Sequence, residues 1–119
     1  MPHLLRIAPE LPVLDLLKSL EYYEERLGFE AVMTTPDGDY AIVERDGIAI
    51  HLFQAGAKEH SPHSIHIFSE GLDQLQDELR GRGAHITQNI EPKPWGHRDF
   101  RVHDDAGNEI KFTEPQPES

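Results

Sequence analysis

The sequence predicts an α+β fold in which two βαβββ modules form a curved mixed sheet with the helices on its outer face. Three observations predict it. Two amphipathic helical patterns occur, each preceded by a strand-like run and followed by turn-bounded pairs of strands. The turn glycines Gly47 and Gly107 lie 60 positions apart, and aligning them superposes Ile50 on Ile110, Leu52 on Phe112 and His51 on Lys111. Finally, 119 residues suffice for one hydrophobic core but not for a second independent domain, so the halves must lean on each other.

The elements follow in order. Leu11 to Leu14 reads as the first strand. Asp15 is placed to cap a helix whose Leu16, Leu20, Tyr23 and Leu27 share one face, and Gly28 is placed to stop it. After the Asp46-Gly47 turn, Ile48, Ile50 and Leu52 alternate toward the core. The polar segment AGAKEHSP links the modules, expected over about residues 4–54 and 63–114 of a single domain spanning 1–119. Ser64 to Phe68 repeats the opening strand, Leu72, Leu75 and Leu79 repeat the helix with Gly83 or Gly81 as its stop, and Ile110 and Phe112 follow the Ala106-Gly107 turn.

Period-two alternation then assigns faces. If Ile48, Ile50, Leu52, Ile65, Ile67, Ile110 and Phe112 pack beneath the helices, Ala49, His51, Phe53, Ser64, His66, Phe68, Glu109 and Lys111 line the concave side. Arg101 and His103 join them if Phe100 and Val102 face inward, an assignment that a bulge near Gly96 would reverse. Such a face is either the solvated side of an antiparallel sheet or a ligand site rich in histidine.

Composition excludes several function classes. There is no cysteine, hence no disulfide, thiolate ligand or cysteine nucleophile, and the cytoplasm is the default compartment. No apolar run approaches the ~20 residues of a membrane span. Eleven Lys and Arg against 22 Asp and Glu give a formal net charge of -11, which repels nucleic acid and anionic lipid and favours cationic partners. No Ser-His-Asp or paired-carboxylate spacing points to a catalytic residue.

The segments LPVLDLLKSLEYYEERLGFE, YAIVERDGIAIHLFQ, SIHIFSEGLDQLQDELRGRGA and PWGHRDFRVHDDAGNEIKF, in that order, resemble the glyoxalase, bleomycin resistance and extradiol dioxygenase (vicinal oxygen chelate) superfamily. The last segment, with PWG, a strand and a D-x-x-G-N turn, is most similar to the bleomycin resistance proteins. The resemblance implies the glyoxalase/bleomycin resistance fold. The superfamily's enzymes hold a divalent metal at four inward positions, which match Ala8, His51, Ser64 and Lys111. Only His51 is a ligand type, with His66 two residues from Ser64, so neither metal nor other cofactor is expected.

In the bleomycin resistance proteins two aromatic plates grip the flat part of the drug in clefts between the subunits of a dimer. By resemblance these plates are Tyr40 and Trp95, although Trp95 also suits a rim residue covering the core. His51, Phe53, His66, Phe68, Asp39, His103 and Lys111 complete the candidate ligand-binding set. The resemblance implies a homodimer, with Pro9 and Pro12 favouring an N-terminal strand exchanged between subunits. The function it implies is metal-independent sequestration of a cationic, aromatic, bleomycin-type glycopeptide by a binding protein rather than an enzyme. The alternatives are a metal-dependent lyase, transferase or dioxygenase, or a binding protein for another small aromatic ligand.

Overall fold

Asp15 closes the first strand and opens the first helix in the computed structural model, which describes residues 1–115. Strand β1 (Glu10–Val13) leads into α1 (Leu16–Leu27), whose first turn is held where the Asp15 carboxylate accepts from Lys18 N at 3.3 Å. Gly28 ends it with φ 73°, a left-handed conformation that a side chain would oppose. Strands β2 (Glu30–Thr34), β3 (Tyr40–Arg45) and β4 (Ile48–Gln54) follow as an antiparallel meander.

The second half repeats the plan with β5 (Ser64–Phe68), α2 (Leu72–Arg82), β6 (His85–Pro92), β7 (His97–His103) and β8 (Glu109–Pro115). The strand orders are β1-β4-β3-β2 and β5-β8-β7-β6, with β1 parallel to β4 and β5 parallel to β8. The two βαβββ modules are therefore topologically equivalent, as the 60-residue offset predicts. Within one chain they form two separate four-stranded sheets rather than one continuous ladder.

A single apolar cluster joins them. It unites Leu16, Tyr23 and Leu27 of α1 and Leu72 and Leu79 of α2 with Ile50, Leu52, Phe100, Ile110 and Phe112 from the sheets, so both sheets turn their helix-bearing faces to one core. Phe100 and Phe112 are register partners whose rings stack at 5.1 Å.

The DDAGN turn fastens the modules together. Asp104 accepts from Ala106 N and Asn108 N, each at 2.9 Å, while Asn108 Nδ2 donates to Pro12 O of the other module at 2.8 Å. Tyr22 and Tyr23 of α1 donate to His103 O and Asp104 Oδ2 at 2.7 and 2.8 Å. Burial and the adjacent Asp104 carboxylate push the Tyr23 phenol well above its ordinary pKa.

Three expectations change in detail. The first strand runs Glu10–Val13, one residue earlier than Leu11–Leu14, so Ala8, matched by resemblance to an inward strand position, lies before it, and Leu4, Leu5 and Ile7 are 99%, 86% and 92% exposed. Ile48 is exposed and Ala49 buried, although the unbroken β3–β4 register keeps Ile48 on the face of Ile50 and Leu52, because Ile48 adjoins the Asp46-Gly47 turn at the end of the hairpin. The register shifts of the β6–β7 pair lie beside Gln88 rather than at Gly96, which sits in the turn, so Phe100 and Val102 keep their inward aspect.

Candidate functional site

The faces of the sheets turned away from the core carry the site residues. On the first sheet, Glu10, His51 and Phe53 lie in register on β1 and β4, with Tyr40 opposite Phe53. The Tyr40 hydroxyl donates to Glu10 Oε2 at 2.5 Å and lies 2.8 Å from His51 Nδ1, with the two rings edge-on at 5.7 Å. The hydrogen bond to Glu10 raises the phenol above its ordinary pKa. Asp39, in the β2–β3 turn, accepts from Thr35 Oγ1 at 2.9 Å and is exposed.

On the second sheet, His66 and Phe68 stack at 6.1 Å, and Phe68 meets the edge of His97 at 5.9 Å. His66 Nδ1 lies 2.9 Å from the buried Thr113 hydroxyl. Burial, followed by the charge of Lys111, lowers the His66 pKa from 6.5. His103 lies 3.7 Å from Glu109, which is 3.6 Å from Lys111 Nζ. Trp95 caps the turn between β6 and β7 and is 61% exposed.

The structure thus divides the nine candidates between two sheets. Tyr40, His51 and Phe53 gather on the first, with Asp39 in the preceding turn; His66, Phe68, His103 and Lys111 share the second, with Trp95 at its hairpin end. Sequence reasoning missed Glu10 as a partner of Tyr40, since the β1–β4 register that joins them is visible only in the folded chain. It also left Arg101 out of the site, although alternation had placed it on this face.

The donor set does not suit a metal. Ala8 has no donor, Lys111 brings a cation, His51 Nδ1 faces the Tyr40 hydroxyl, and among the described residues no three His, Asp or Glu side chains gather closely enough to hold an ion. A cavity of about 610 Å³ lies elsewhere, between the β3–β4 turn at Asp46 and α2 at Gln74 and Glu78. Phe68 alone of the candidate residues reaches it.

The whole-chain architecture and this polar face can be compared with known proteins. Residues 2–112 match the Glyoxalase/Bleomycin resistance protein/Dioxygenase superfamily. The chain belongs to that superfamily. Bleomycin resistance proteins from Geobacillus stearothermophilus and Staphylococcus aureus are each 30% identical to it, covering 92% of this chain and 96% of theirs. Among solved superfamily-like folds, TioX from Micromonospora sp. ML1 superposes with a TM-score of 0.79 at 21% identity, covering 91% of this chain and 96% of its own. Lactoylglutathione lyase from Agrobacterium tumefaciens superposes with a TM-score of 0.75 at 18% identity, covering 96% of each chain. Curated relatives at 30% identity are thus resistance proteins, while a protein named as a lyase shares the fold, and no described helix is long and apolar enough to cross a membrane.

Proposed function

We propose that the protein binds and sequesters a bleomycin-type cationic glycopeptide in the cytoplasm, without metal, in clefts closed by a second copy of the chain. The observation that carries this reading is the exposed Trp95 on the PWG turn of a chain 30% identical over most of its length to bleomycin resistance proteins. A large aromatic left in water on a hairpin tip is placed to stack on a flat ligand. Tyr40 supplies the second plate, while Asp39, Glu10 and the net charge of -11 draw in the cationic tail.

The division of the site supports a dimer. Both helix faces turn to one core, so the two polar faces turn away from it, and a cleft walled by Tyr40 and Trp95 is most readily made from two chains. The exposed Leu4, Leu5 and Ile7 suit an arm exchanged between copies.

Calorimetric titration with metal-free and copper-loaded bleomycin tests the reading. Wild type should bind stoichiometrically, and Trp95→Ala should lose about tenfold to a hundredfold in affinity, equivalent to about 1–3 kcal/mol, with folding intact. Absence of heat at a concentration of tens of micromolar would reject the drug and leave another aromatic ligand. Turnover that appears only on adding nickel, zinc, manganese or iron would favour the enzyme alternative.

A further inference from the structure

The row His66, Lys111, Arg101 and Gln88 runs straight across the second sheet, one residue from each strand in mutual register. Cross-strand neighbours of this kind have Cβ atoms about 4.5–5.5 Å apart. Lys111 lies between the buried Ile110 and Phe112, and Arg101 between the buried Phe100 and Val102, so both cations share the face turned from the core. In a chain of net charge -11, two adjacent cations there call for a partner.

Each cation has a carboxylate within ion-pair distance, Asp99 for Arg101 and Glu109 for Lys111, yet neither side chain donates a hydrogen bond among the described residues. Among the described residues no group accepts a hydrogen bond from the Arg101 guanidinium, and its Nε is buried without a hydrogen-bond partner, 3.5 Å from Asp99 Oδ1. Lys111 Nζ has only Glu109 at 3.6 Å, too long for a hydrogen bond. The nearby carboxylates are largely engaged. Buried Asp99 accepts from Gln88 Nε2 at 2.6 Å and lies 4.0 Å from Lys93 Nζ, Glu91 lies 2.6 Å from the same ammonium, and Glu109 accepts from Ser64 Oγ at 3.1 Å beside His103. Phe68, half exposed and two residues from His66 on the same face, adds a flat apolar surface next to the cations.

We infer that this face is a subsite for a planar aromatic acid, its oxyanion held by Arg101 and Lys111 and its ring laid on Phe68. The guanidinium fork and the ammonium supply unused donors for a carboxylate or another oxyanion, and the half-buried setting strengthens those bonds relative to water. The subsite accepts a chemistry opposite to the acidic first sheet, and its existence does not depend on which drug the protein sequesters.

The test is calorimetry on the full chain in dilute buffer without phosphate, using 2-naphthoate, its uncharged analogue 2-naphthamide and inorganic phosphate. Naphthoate should bind at least about tenfold more tightly than naphthamide, and phosphate should displace naphthoate. Arg101→Gln and Lys111→Gln should each abolish most of that preference while leaving naphthamide binding and the unfolding midpoint near wild type. Arg101→Lys, which keeps charge but loses the fork, should recover only part of it. Equal affinity for naphthoate and naphthamide in the wild type overturns the inference, as does naphthoate binding indifferent to both glutamine variants. Bleomycin titration of Arg101→Gln, a residue outside the candidate drug-binding set, separates the two proposals, because loss of drug binding in Trp95→Ala alone concerns the drug reading, and loss of acid preference in Arg101→Gln alone concerns this subsite.

Discussion

The phenol of Tyr23 donates to Asp104 Oδ2 at 2.8 Å, binding the helix of the first module to the DDAGN turn of the second inside the common core. Asn108 Nδ2 reaches the same oxygen at 2.9 Å and also donates to Pro12 O, so one buried carboxylate gathers groups from both halves of the chain. The D-x-x-G-N motif in this protein is accordingly a clasp between modules, while the PWG turn preceding it stands in solvent.

Tyr23→Phe should destabilise the protein by about 1–3 kcal/mol, since Asp104 loses a donor in a site that water does not reach. Chemical denaturation measures it. The Tyr23 pKa is raised in the folded state, so the stability it contributes is complete below pH 10 and is lost as pH rises through the folded value. The wild-type and variant stability curves should therefore converge under strongly alkaline conditions.

His66 should titrate below 6.5 in an NMR pH series, because burial and then the charge of Lys111 oppose its protonation. Its folded pKa is depressed, so the neutral ring's contribution to folding is full above the unfolded value and falls away as pH drops through the folded one. Lys111→Gln should shift the midpoint upward; an unchanged midpoint would remove the role given to that charge.

Tyr40→Phe should keep most of the bleomycin affinity, because the ring survives, whereas Tyr40→Ala should cost about 1–3 kcal/mol, measured by calorimetry. A large loss in Tyr40→Phe would instead assign recognition to the hydroxyl that joins Glu10 and His51.

Deletion of residues 1–8 should convert the proposed dimer to a monomer in analytical ultracentrifugation without altering the circular dichroism, since Leu4, Leu5 and Ile7 touch little of their own fold. A dimer that persists would place the interface elsewhere.

The elements themselves were legible because each rests on local chemistry: Asp15 as a cap, Gly28 and Gly83 as left-handed stops, and alternation in β5 and β8 that one buried face imposes. The N-terminal boundary was less so. Resemblance matches Ala8 to a strand position, yet β1 starts at Glu10 and Leu4, Leu5 and Ile7 before it are exposed. Ile48 is exposed on its assigned face because it stands at a hairpin end, where alternation does not encode burial.

By itself the sequence determined the two modules, their common core residues and which side chains leave that core, because burial selects apolar side chains at fixed periods along each element. Only the tertiary structure decided which of them meet. The pairing of Glu10 with Tyr40, the clasp of Tyr23 on Asp104, and the unbroken row from His66 through Lys111 to Arg101 all join residues distant in the chain. Such contacts depend on strand order and register across a sheet, which long-range packing sets and no local pattern records.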